Sequence, residues 1–174
     1  MGCAQTPLPV KPFLAALFQP DADREKFLES IIPIFGPIEF SYGPIPFHFS
    51  EYYKDEMGSG LVKAYYTFET LMDRETLSEK KQFTNSLEQH SLIRGKRCIN
   101  FDPGYLARDK LVLATTKDFY HRLYLSDGIY GEVTLHFRKG EFRYFSWTYP
   151  DYKDLQFLEF LTKARAAYMY AIRQ

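Results

Sequence analysis

Three features of the sequence predict an α+β fold: a single domain whose mixed, mostly antiparallel sheet carries about three packed helices. Strand and helix patterns alternate through the first half, and a β-meander fills the C-terminal half. Two dipeptides, Asp127-Gly128 and Lys139-Gly140, punctuate that meander as hairpin turns. A chain of 174 residues is about one domain's worth and buries a real core. No repeat, low-complexity tract or linker marks a second unit, so residues 1–10 read as a flexible lead-in and 11–174 as the domain.

Pro12 to Phe18 is continuously apolar and stops before Pro20, the pattern of a short strand buried on both faces. Asp21 or Asp23 caps the helix that follows, with Phe27, Leu28, Ile31 and Ile32 as its apolar stripe. Pro33 and Gly36-Pro37 are expected to bend or end it. Residues 38–53 carry Pro44 and Pro46 and read as an edge strand with a turn at Gly43, and residues 51–60 as a loop. In the strand Leu61 to Phe68 the alternation of Val62, Ala64, Tyr66 and Phe68 defines an apolar face. Residues 74–92 lack Gly and Pro and predict a largely polar helix with Phe83, Leu87 and His90 along one stripe, ended by Gly95. Asp102-Pro103-Gly104-Tyr105 is a turn by composition. The last helix is expected from Tyr152 to Ile172, capped by Thr148 or Asp151, with Leu155, Leu158, Leu161, Arg165, Tyr168 and Ile172 on its inner stripe.

In the meander a two-residue turn at Asp127-Gly128 pairs Ser126 with Ile129, and by extension Leu123 with Glu132 and His121 with Thr134. The turn at Lys139-Gly140 pairs His136 with Arg143 and Leu135 with Tyr144. Strict alternation then places Tyr120, Tyr124, Val133, Leu135, Phe137, Phe142 and Tyr144 on the core face. The other face gathers His121, Glu132, Thr134, His136 and Arg143, among Leu123, Leu125, Tyr130 and Phe145.

That second face is either a solvated sheet surface or a site. Two imidazoles and a carboxylate are the groups that bind a divalent metal or move protons near neutral pH, so His121, Glu132 and His136 are the candidate catalytic residues and metal ligands. Arg143 and Lys117 would take a phosphate or carboxylate, and Asp102 completes the candidate ligand-binding set. The identity of any cofactor beyond a divalent metal is not written in these residues.

Composition narrows the classes. Lysine plus arginine and aspartate plus glutamate stand at 22 each, which argues against a nucleic-acid footprint; the trio Arg94, Lys96 and Arg97 is too small for one. No apolar run approaches a membrane span, and two cysteines, Cys3 and Cys98, fit a reducing cytoplasm better than a disulfide framework. Met1 to Thr6 match the N-myristoylation pattern, which acts only in a eukaryotic host. The usual P-loop, G-x-G-x-x-G, G-x-S-x-G and H-E-x-x-H motifs are all missing. Sixteen Phe and fourteen Tyr are spread along the whole chain, as structural packing requires, and the same excess would supply anchors for a partner protein.

The segments N-F-D-P-G-Y-L, L-V-L-A-T-T-K-D, H-R-L-Y-L, G-I-Y-G-E-V-T-L and W-T-Y-P-D-Y, with K-P-F-L-A-A-L-F, S-E-Y-Y-K-D-E-M-G and F-T-N-S-L-E, agree in order with one prokaryotic family. The chain thereby resembles domain of unknown function 4416 (DUF4416) over nearly everything after residue 10. The resemblance implies a small cytoplasmic bacterial or archaeal protein, with GTP binding suggested for some members. Two classes of function follow as expectations. One is a binding domain for a small molecule or nucleotide phosphate, GTP included but without a P-loop, sited on the polar face of the meander and enzymatic or not. The other is a non-catalytic protein-interaction module using exposed aromatic residues.

Overall fold

A buried ribbon of three antiparallel strands organises the molecule. The computed structural model describes residues 2–48, 53–93 and 95–173. In it β1 (Lys11–Phe18) is buried over its whole length, as its unbroken apolar run predicts. It is followed by α1 (Arg24–Phe35), β2 (Ile38–Pro46), a single turn α2 (Lys54–Met57) and β3 (Val62–Phe68). A 3₁₀ turn (Arg74–Thr76) then leads into α3 (Leu77–Gln89), and a small hairpin of β4 (Leu92–Ile93) and β5 (Lys96–Arg97) precedes β6 (Ile99–Leu106). The meander comprises β7 (Lys110–Thr115), β8 (Arg122–Ser126), β9 (Ile129–Arg138) and β10 (Glu141–Tyr144). A second 3₁₀ turn (Pro150–Lys153) and α4 (Leu155–Ala171) close the chain.

One eight-stranded sheet runs β10-β9-β7-β6-β1-β3-β2, with β8 beside β10 on the same edge of β9, and every strand pair among the described residues is antiparallel. Alternation along β1 splits the core in two. Phe13 and Ala15 face α4, where Tyr65, Phe157, Phe160 and Leu161 pack; Leu14, Ala16 and Phe18 face Ile31 and Phe35 of α1 and Phe83 and Leu87 of α3. The fold is therefore a single α+β domain with helices on both faces of the sheet. No helix among the described residues is long and apolar enough to cross a membrane.

Local chemistry explains most helix ends and corrects several expectations. Asp23 caps α1, accepting from the Lys26 amide at 3.2 Å. The helix runs two residues past Pro33 to Gly36, whose positive φ ends it, and it buries Phe35 while Ile32 lies outside. α4 is capped by Asp154, which accepts from Phe157 at 2.9 Å, not by Thr148 or Asp151. The helix is thereby rotated so that Leu155 is exposed and Phe157, Phe160, Leu161, Ala164 and Tyr168 are inside. Tyr42 of β2 donates to the same Asp154 at 2.9 Å. Burial, followed by that carboxylate, pushes its hydroxyl up to about 12. Gly43 lies within β2 at a register shift and makes no turn; β2 continues to Pro46. Gly95 serves the β4–β5 hairpin, and His90, at the end of α3, is exposed. Of the predicted loop, Glu51 and Tyr52 lie outside the described residues, as does Arg94 of the basic trio. Residues 8–10 of the lead-in are tied down: Tyr168 donates to the Pro9 carbonyl at 2.9 Å, Arg74 to that of Leu8 at 3.2 Å, and Val10 bridges Met72.

The largest correction is at Asp102-Pro103-Gly104. This is no turn but the middle of β6, paired with β1 through Asp102↔Ala15, Pro103↔Leu14 and Gly104↔Phe13. Proline is tolerated there because its nitrogen points away from β1, on the same edge as the Phe101 amide two residues back, where no strand is paired. Gly104 begins the pairing with β7, and the approach is so close that a Cβ would stand 2.2 Å from the Val112 carbonyl oxygen. Gly104→Ala should therefore cost at least about 2 kcal/mol of unfolding free energy in a urea titration, since the obstacle is backbone; a loss below 0.5 kcal/mol would mean that the strands open freely there.

Candidate functional site

β6 pairs with β1 along its whole length but with β7 only from Gly104 to Leu106. Before Gly104 the two strands part, and α3 takes the place of the missing neighbour. Glu88 Oε1 accepts from the Phe101 amide at 2.7 Å, and Lys81 Nζ donates to the Phe101 carbonyl at 2.6 Å. Both side chains are buried, and seven residues of spacing puts them on one face of the helix. They satisfy the backbone that an absent strand would have paired.

The fork so held opens into a cleft of about 510 Å³ between β6, the end of β7, α3 and the second 3₁₀ turn. Five cations line it, Lys63, Lys81, Arg97, Lys117 and Arg122, together with the carboxylates of Glu56, Glu88, Asp102, Glu132 and Asp151. Asn85 and Asn100 add amides, and Phe47, Tyr53 and Tyr149 add rings.

Three linked networks order these groups. At the inner end the Asp151 carboxylate pairs with Lys63 and accepts from Tyr65 at 2.8 Å. The Lys63 ammonium also lies 4.9 Å from the Tyr152 ring centre and 5.3 Å from that of Phe47. Burial, then the Asp151 charge, drives the Tyr65 and Tyr152 hydroxyls far above the ordinary tyrosine range, so both remain neutral at any working pH. On the helix side Arg97 pairs with Glu88 and reaches Glu56 at 3.0 Å, while Asp102 receives Lys81 at 3.4 Å and Asn100 at 3.0 Å. On the meander side the buried Glu132 accepts from Arg122 Nε and His121 Nε2, both at 2.9 Å, and Arg122 donates onward to the Lys117 carbonyl at 3.0 Å.

The candidate residues chosen from the sequence divide accordingly. Asp102, Lys117 and Glu132 share the cleft, and His121 stands behind Glu132, its ring stacked on Trp147 at 4.9 Å with Nδ1 buried and without a hydrogen-bond partner among the described residues. His136 and Arg143 do not join them. His136 packs on Phe145 at 5.0 Å, and Arg143 pairs with Glu141 at 2.7 Å on exposed β10. Among the described residues no group of three metal-ligating side chains forms.

Two bulges explain the division. β9 slips by a residue at Thr134, so that Val133 and Leu135 face opposite layers; Glu132, opposite Leu113, joins the α4 side that Leu135 also faces, and alternation from Leu135 turns His136 away. β8 bulges at Leu125, which pairs Leu123 with Gly131 and Arg122 with Glu132, in place of the expected Leu123 with Glu132. Tyr120 and Tyr124, expected in the core, are exposed. The Ser126 to Ile129, His136 to Arg143 and Leu135 to Tyr144 pairs stand as expected, with positive φ at Asp127, Gly128, Lys139 and Gly140. Sequence reasoning missed Lys63, Lys81, Glu88 and Asp151. Asp151, within W-T-Y-P-D-Y, and Glu88, at the end of F-T-N-S-L-E, lay in segments already singled out, whereas Lys63 and Lys81 did not.

Fold and cleft together define a small α+β domain with a charged cleft at a fork in its sheet. The chain belongs to the family described as Domain of unknown function (DUF4416), whose model matches residues 8–168. No curated protein and no solved structure matches it.

Burial holds the Glu88 carboxyl above its ordinary value of 4.5, against the opposing pull of Lys81, the Phe101 amide and Arg97. A carboxyl raised on folding contributes stability that is complete below its unfolded value and is lost as pH rises through the folded one. The stability of the wild type relative to Glu88→Gln should therefore be greatest below pH 4.5 and decline toward neutrality, as read by denaturant titrations at a series of pH values. A difference that grows with pH would mean that the Arg97 pair outweighs burial.

Proposed function

We propose that the protein binds a small polar metabolite carrying an anionic group, of the nucleotide-phosphate kind, in the cleft at the sheet fork. The observation that carries this reading is the cleft itself: its 510 Å³ falls in the range of ligand sites, and charged groups converge on it from strands and helices that are rigidly packed. Each acid and base in the three networks already has a partner, so the walls are ordered before a ligand arrives and little entropy is lost on binding. An anion would share cations such as Arg122 and Arg97, whose Nε is buried without a hydrogen-bond partner among the described residues. The donors and acceptors of a sugar or base would meet Asn85, Asn100 and Asp102, with the lining rings offering a stacking face. GTP is one member of this class, and without a P-loop its phosphates would be held by side chains. A cytoplasmic setting is in keeping with two unbridged cysteines, Cys98 being buried.

The test is a thermal-shift panel of GTP, ATP, nucleoside monophosphates, sugar phosphates and inorganic phosphate. A ligand at about a hundred times its dissociation constant adds roughly 2.7 kcal/mol, which a melting curve resolves. At least one compound should shift the wild type. Lys117→Ala and Asn85→Ala should abolish that shift while melting normally alone, and His136→Ala should leave it intact. A shift that survives both cleft variants but vanishes in His136→Ala would move the site to the outer meander.

A further inference from the structure

We infer that the cleft takes up its anion together with a proton, and that Glu88 receives the proton. The inference rests on the anion reading above and concerns the regulation of that same site. Arg97 makes the coupling. It lines the cleft, its Nε has no hydrogen-bond partner among the described residues, and its two terminal nitrogens are held by carboxylates in unlike surroundings. The Glu56 side chain is half exposed to water, whereas that of Glu88 is only 6% exposed. An anion that draws Arg97 to itself therefore leaves Glu56 to water but strands Glu88 as a buried charge. A carboxylate so stranded is costly, and protonation removes the cost.

The hydrogen bonds say where the proton goes. Glu88 Oε1 accepts from the Phe101 amide at 2.7 Å, and that amide needs its acceptor in either state. The proton accordingly goes to Oε2, the oxygen that faces Arg97. An O–H there replaces the charge that held the guanidinium, while the capture of Phe101 is kept. The other charged groups near Glu88 are Lys81 on its own helix and Asp102 on β6, which are paired with each other. Burial, the largest influence, favours the protonated form; Lys81, the Phe101 amide and Arg97 favour the ionised one, and Asp102 the protonated one.

The opposite wall has no such need. Glu132 accepts from His121 as well as from Arg122, so an anion that draws on Arg122 leaves it a donor. Coupling between anion and proton is reciprocal: if the anion raises the proton affinity of Glu88, protons raise the affinity for the anion. Affinity should thus rise as pH falls toward the value at which Glu88 titrates in the free protein, and level off below it.

Isothermal titration calorimetry of the full chain with sulfate, which stays a dianion throughout, tests this from pH 4.5 to neutrality. Wild-type affinity should rise by up to about tenfold per unit of acidification within that window. The heats in two buffers of different ionisation enthalpy should report uptake of a proton. Glu88→Gln, which keeps an acceptor for the Phe101 amide, should bind sulfate more tightly than the wild type at neutral pH and lose the uptake. A wild type that binds sulfate with no proton uptake and no pH dependence would overturn the inference without any variant and leave the anion reading standing. An uptake retained by Glu88→Gln and abolished by His121→Gln would overturn it as well. Sulfate bound at no pH would overturn the anion reading and this inference with it.

Discussion

The capture of one residue's backbone by two side chains sets the architecture around the cleft. Phe101 lies where β6 has lost its neighbour, and an unpaired amide and carbonyl buried at that point would together cost several kcal/mol. Glu88 and Lys81 satisfy both. Because they come from a helix, the space beside β6 is not filled by another strand, and the sheet stays divided. Everything lining the cleft, from Lys63 and Asp151 at its inner end to Arg122 and Glu132 on the meander, is arranged around that division.

The division also accounts for the charge content of the interior. Buried ions are tolerated when they are paired and hydrogen-bonded, and weak evidence for stability even then. Here Lys63 with Asp151 and Lys81 with Asp102 lie along the cleft wall, while the apolar clusters on either side of β1 hold the helices to the sheet. The apolar core and the charges of the cleft thus fall to different residues of the same strands. β3 shows it within three positions: Ala64 belongs to the core under α1, Tyr65 packs under α4, and Lys63 points into the cleft.

How much of this could be read from the sequence depended on whether the determining contact was local. Asp127-Gly128 and Lys139-Gly140 were legible because positive φ is a property of the residues themselves. β1 was legible from its apolar run. Asp102-Pro103-Gly104 read as a turn because composition does not say which edge of a strand a proline nitrogen faces. The slip at Thr134 left no mark in the residue pattern, yet it separates His136 from Glu132 and dissolves the expected His121, Glu132 and His136 triad. Of the six candidate residues, Asp102, Lys117 and Glu132 line one cleft, with His121 behind Glu132. The Lys63 and Asp151 pair spans 88 positions, and no window of sequence contains it.

The central claim is that recognition occurs in the fork rather than on the outer face of the meander. The most direct measurement is an amide chemical-shift titration of the ¹⁵N-labelled protein with GTP and with inorganic phosphate. The account predicts progressive shifts at Asn85, Phe101, Asp102, Thr115 to Lys117 and Arg122, with Glu141 to Arg143 unmoved. Shifts confined to His136 and Arg143, with a silent fork, would contradict it.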